Sequence, residues 1–199
     1  SAGERTFCAG ASFDELLAVK DLETGARFFS GFANVINACR TCPKFIIGRV
    51  HGKAVGGGVG IAAAVDYCLA TQYAAVKLSE LSIGFGPFVI EPAVQRKIGT
   101  AALSQLAINA TSWQSAKWAK AKGLYAEVYN TAEEMDDAIL HLARKLKDSS
   151  PEAMRLLKQV LWNGTDHWGE LLPERARMSG ELALSDFTRQ ALERFKSKS

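Results

Sequence analysis

An α/β fold with a helical C-terminal part is what the sequence predicts, and three observations predict it. Up to residue 78, short apolar runs of strand length alternate with stretches of helical spacing. From residue 131 onward the patterns are helical, and 168–199 contains no strand-like run. No internal repeat or low-complexity linker interrupts the 199 residues, a length suited to one domain, or one with a helical appendage.

Taken in order, Thr6-Phe7-Cys8 reads as the end of a strand broken at Ala9-Gly10-Ala11. A domain that opens on half a strand predicts further N-terminal strands that this chain lacks. From Ser12 the pattern turns helical, with Ser12 and Glu15 spaced as a capping box. Phe28, Phe29, Phe32, Val35, Ile36 and Cys39 fall on one buried helical face, and Pro43 ends that helix.

Residues 44–87 are the stretch around which the rest is organised. An apolar strand, 45–50, bends at His51-Gly52 and reaches Gly56, Gly57 and Gly58. Small residues at 61–65 predict a tightly packed helix start. Two more apolar runs follow, 67–71 and 74–78, the second ending on Ser79-Glu80.

Residues 84–92 are loop-like, and 93–98, 100–110 and 112–122 are helical, the last closed by Gly123. Alternation at 124–129 predicts a short strand. The segment 131–148 is amphipathic, with acid early and base late as the helix dipole prefers, and Pro151 starts a further helix.

Composition narrows the function. The chain carries 24 basic and 21 acidic residues, a balance that argues against nucleic acid as partner. Its apolar stretches are shorter than the ~20 residues of a membrane span, and its first ten residues lack a signal-peptide layout. Four cysteines (Cys8, Cys39, Cys42 and Cys68) do not make a disulfide framework, so a cytoplasmic location is expected.

Consecutive glycines allow close backbone approach and leave N–H donors free at a helix N-terminus. Glu80, a carboxylate just past a strand among apolar neighbours, is a candidate acid or base with a raised pKa. Together they suggest enolate or oxyanion chemistry, although each alone also has a plain structural use. Nucleotide-phosphate motifs are absent. Cys39 and Cys42 match CxxC without a second ligand pair, so they read as packing and no metal site is expected. The three histidines show neither triad order nor metal-ligand spacing.

In combination, TFCAGAS, HGKAVGGGVGIAAAVDYCLAT and AAVKLSELSIGFGP resemble the crotonase superfamily, the enoyl-CoA hydratases and isomerases. The resemblance extends through QRKIGTAALSQLAIN and residues 119–124 to the terminal SDFTRQALERFKSK. It implies a spiral of β-β-α units in a core over 1–130, N-terminally incomplete here. A helical region over 131–199 would build a homotrimer or a dimer of trimers.

The same resemblance implies an acyl-CoA thioester substrate, with no cofactor beyond its coenzyme A. It makes the N–H groups of Ala11 and Gly57 the oxyanion hole and Glu80 the acid/base. Ala9, Ser12 and Phe13 would lie along coenzyme A, and Ile83, Phe85, Pro87 and Phe88 would line the acyl pocket. A second carboxylate of the family, two residues after the glycine triplet, is replaced by Gly60. Glu91 is the other acid to consider, although an acid in a first helical turn is favourable for structural reasons as well.

Gly60 and the GFGPF loop favour Δ3,Δ2-enoyl-CoA isomerisation by one glutamate. The alternatives are hydration of 2-enoyl-CoA, including branched unsaturated acyl groups, and a non-catalytic acyl-CoA-binding scaffold.

Overall fold

Two parallel three-stranded sheets organise the protein, whose computed structural model describes residues 3–197. One sheet runs β1 (Thr6–Cys8), β3 (Lys53–Val55), β5 (Val76–Lys77); the other runs β2 (Ile47–Val50), β4 (Tyr67–Thr71), β6 (Glu127–Tyr129). Strands adjacent in sequence enter different sheets for a geometric reason. Only His51-Gly52 separates β2 from β3, and a parallel pair in one sheet needs a crossover of about a dozen residues. The parallel partner of β2 is therefore β4, reached after helix α3 (Gly57–Ala64). Repetition of this step gives the expected spiral of β-β-α units.

Helix α1 (Phe13–Leu17) is capped by Ser12, whose hydroxyl accepts from the Glu15 N–H at 3.3 Å. The single helix expected from Ser12 to Pro43 is in fact two. Asp21 starts α2 (Leu22–Thr41) by accepting from the Thr24 N–H at 2.8 Å, in a capping box with Thr24. The buried face of α2 is Gly25, Phe29, Ala33 and Ile36. Val35 is off it, 42% exposed, because one step along a helix turns the side chain about 100° from Ile36.

Past the 3-10 turn Glu80–Ile83, two expected helices join as α4 (Glu91–Ile108), kinked where Gly99 adopts φ 75° and ψ 163°. Helix α5 is shorter than predicted, Ala116–Ala121, with Ser115 as cap. Gln114 instead pairs its backbone with Val76 in both directions at 2.9 Å, which places Trp113 beside the first sheet. The 124–129 strand contracts to β6, and α6 (Ala132–Lys147) carries the capping box Thr131/Glu134.

Helices α8 (Trp168–Ala183) and α9 (Asp186–Lys196) share one continuous hydrophobic core with the sheets, which α7 (Pro151–Leu161) joins only through Trp162 at its C-terminal end. Helix α8 lies along α2, where a Cβ on Gly25 would sit 2.9 Å from Gly180 Cα, so the two backbones touch. Helix α7 is anchored by Lys158, whose Nζ meets Asp66 Oδ2 at 2.8 Å and the carbonyls of Cys39 and Lys44 at 2.8 and 2.9 Å. Both side chains of that ion pair are buried, and Trp162 Nε1 and the Ile46 N–H complete the Asp66 carboxylate. All four cysteines are unpaired. No described helix is long and apolar enough to cross a membrane.

Candidate active site

The glycine triplet forms a turn that only glycine makes. Gly56 takes φ 53° and ψ −118°, and its N–H donates to Lys77 O at 2.9 Å, tying the turn to β5. Gly57 begins α3, so its N–H lies in the first turn, where no intrahelical acceptor exists. Among the described residues neither the Gly57 nor the Ala11 N–H has an assigned acceptor. A Cβ on Gly57 would collide with the Phe32 ring. Gly10, at φ 86°, brings the 9–11 loop against the same turn: its Cβ would stand 3.6 Å from Gly57 N.

Glu80 opens the 3-10 turn, which is pinned by Ser82: its N–H and hydroxyl donate to Ser79 O at 3.1 and 2.6 Å. The carboxylate is buried and points at the glycine turn, since a Cβ on Gly56 would lie 2.8 Å from Glu80 Oε1. Its Oε2 is buried without a hydrogen-bond partner. Burial pushes the Glu80 pKa up to about 7, held back in part by the backbone amides of Glu80 and Ser79.

A cavity of about 430 Å³ brings these groups together. Ala9, Ala11, Gly57 and Glu80 line it, as do Phe13, Ile83, Phe85, Pro87 and Phe88. Ser12 caps α1 and is not part of the lining. Glu91 is not brought to the cavity either: it starts α4, its N–H donating to Pro87 O at 2.8 Å. Among the lining residues Glu80 is the one carboxylate.

Gly60 lies one turn into α3, buried, and the space in front of it is taken. A Cβ there would stand 2.6 Å from Ile90 Cβ and collide with Cγ2. Ile90 itself lines the cavity.

Other lining residues carried no signal in the sequence. Phe29 and Phe32 read as core, yet both border the cavity, and Phe29 packs edge-on against Phe85 at 5.4 Å. Ser179 and Phe195 arrive from α8 and α9, more than 90 residues beyond Glu80. His51 is buried but outside the lining. Among the described residues no group of three or more His, Cys, Asp or Glu side chains is placed to hold a metal ion.

Buried donors at a helix start and one carboxylate of raised pKa, in an apolar cavity, suit proton transfer next to a developing oxyanion.

Known proteins resemble this chain in sequence and in fold. A probable enoyl-CoA hydratase of Bacillus subtilis (strain 168) is 28% identical over 197 residues, covering 98% of this chain and 76% of that protein. The mitochondrial Delta(3,5)-Delta(2,4)-dienoyl-CoA isomerase of Homo sapiens is 31% identical over 138 residues, 68% of this chain and 42% of its own length. The crystal structure of an enoyl-CoA hydratase from Mycobacterium avium superposes with a TM-score of 0.84 at 23% identity, over 99% of this chain and 74% of that one, a likeness of fold. The chain thus spans about three quarters of the first relative and under half of the second. The sequence profile described as Enoyl-CoA hydratase/isomerase matches residues 1–198, and the chain belongs to that family, within the crotonase superfamily.

Proposed function

We propose that the protein binds an acyl-CoA thioester and moves its double bond from the 3 to the 2 position. The observation that carries this reading is the solitary Glu80 in the cavity, with Ile90 filling the space that a side chain at Gly60 would need. In the reaction Glu80 as carboxylate takes a proton from C2 of a 3-enoyl thioester. The electron pair moves onto the thioester oxygen, which receives hydrogen bonds from the Ala11 and Gly57 N–H groups. Collapse of the dienolate returns the same proton from Glu80 to C4, leaving C2=C3. Charge is stabilised where it forms, and no further cofactor is needed. Ala9, Phe13 and Ser12 lie along coenzyme A, while Ile83, Phe85, Pro87 and Phe88 hold the acyl chain.

Hydration of a 2-enoyl thioester is the second reading, favoured by the name of the Bacillus subtilis relative. Assays with 3-enoyl-CoA and 2-enoyl-CoA separate the two. Isomerisation that far outpaces hydration is expected, and fast hydration with negligible isomerisation would reverse the assignment. Coenzyme A binding without turnover of either would instead indicate a scaffold.

We also read the assembly as a trimer or a pair of trimers. Leu156, Leu157, Val160 and Leu161 of α7 are exposed, an apolar surface that self-association would cover. Light scattering on the purified chain tests it, with a monomer as the contrary result.

A further inference from the structure

Among the residues that line the cavity, the basic one is Lys77. It occupies β5 opposite Val55 of β3, and both residues contribute to the cavity wall. Alternation along the strands sends Ala54 and Val76, fully buried, to the core, and Lys53, Val55 and Lys77 to the opposite face. Two lysines thus share the sheet face that borders the cavity.

Both ammonium groups rest on one aromatic ring. Lys77 Nζ lies 4.7 Å and Lys53 Nζ 5.1 Å from the Trp113 centroid. Trp113 reaches this position because Gln114 pairs with Val76 at the sheet edge. Among the described residues no carboxylate pairs with either lysine. The ring offsets part of the repulsion between the two cations, but a ring is a weaker partner than an anion. Lys77 belongs to the cavity wall, whereas Lys53 and Trp113 stand beside it outside the lining, so the two charges, with no carboxylate partner among the described residues, are gathered at the edge of the cavity.

Which anion follows from position. Lys77 and Glu80 are three residues apart, so their Cα atoms are separated by at most ~11 Å. Both belong to the wall of the cavity, as do Ile83 and Phe85, assigned above to the acyl chain. We propose that Lys77 and Lys53, held on Trp113, form a subsite for a carboxylate on the far part of the acyl chain. The substrate class is then a thioester of a short dicarboxylic acid. This inference rests on the acyl-CoA reading above and deepens it.

Unreactive saturated thioesters test it without depending on turnover. Binding of glutaryl-CoA and pentanoyl-CoA, equal in carbon number, is measured by calorimetry on the full chain and on Lys77→Met, Lys77→Arg and Lys53→Met. The expected result is that the wild type prefers glutaryl-CoA. Lys77→Met should then cut that preference roughly fivefold or more, a partly exposed charge-assisted contact being at stake. Lys77→Arg should keep most of the preference, which separates lost charge from a damaged fold. No preference in the wild type, or equal weakening of both ligands, would overturn the subsite, the latter result assigning the lysines to the phosphates of coenzyme A. Binding of neither thioester would instead remove the acyl-CoA reading and the subsite with it.

Discussion

Ile90 stands directly in front of Gly60, so close that even a methyl group at position 60 would lie 2.6 Å from Ile90 Cβ. The missing side chain at 60 and the bulky one at 90 are therefore one feature. Gly60→Ala should cost about 1–3 kcal/mol in the wild type, the range for overpacking, and clearly less in an Ile90→Gly background. Urea denaturation of the four members of this cycle measures the coupling. Strict additivity would show that the two residues do not compete for space. Gly60→Glu with Ile90→Gly is the combination expected to raise hydration of 2-enoyl-CoA above the wild-type level.

Glu80 should control the pH dependence of the reaction. Proton abstraction needs the carboxylate, so kcat/KM should rise with pH through about 7 and level off above. Glu80→Gln should abolish isomerisation, while binding of an unreactive thioester persists. An unchanged rate in that variant would remove Glu80 from the mechanism.

The same group makes stability depend on pH, in the sense opposite to a salt-bridged acid. Its folded pKa, about 7, lies above the ordinary 4.5, so the native state binds the extra proton between those values. Stability of the free protein should fall as pH rises from 4.5 through 7, by up to about 3 kcal/mol. Denaturation of wild type and Glu80→Gln at pH 5 and pH 8 checks this, with the variant losing less on going to pH 8.

Gly57 tests the oxyanion assignment through Phe32. Gly57→Ala drives a methyl group into the Phe32 ring and should displace the helix start. A loss of about 100-fold in kcat is expected, the scale for one oxyanion donor. Adding Phe32→Ala should restore part of the rate. Full activity of Gly57→Ala alone would show that the Phe32 ring yields to the methyl group and the helix start keeps its place.

Lys158 and Asp66 form a buried pair whose further bonding groups are satisfied. Lys158→Met strands the Asp66 carboxylate and should cost about 3–5 kcal/mol, and Lys158→Met with Asp66→Asn considerably less. Chemical denaturation distinguishes the two. Because Asp66 also holds the Ile46 N–H ahead of β2, the single variant should loosen that strand, visible as faster amide exchange.

What the sequence by itself determined was local or carried in a short motif. The strands around 45–50 and 67–71, the capping residue Ser12, the acid-to-base helix at 131–148, the glycine turn and the lone Glu80 could all be read from spacing and residue type. The three ordered motifs pointed to the family, and the profile match shows it. Tertiary structure decided what depends on residues far apart in the chain. The Gly25–Gly180 contact, Ser179 and Phe195 at the cavity, and Trp113 beneath two lysines have no local pattern, because packing of α8, α9 and the β5 edge creates them. Gly60 shows the division most clearly. Its sequence position marked an absent acid, but whether that left room for water depended on Ile90, thirty positions on, and side-chain volume across a helix contact is not written in the local spacing of either residue.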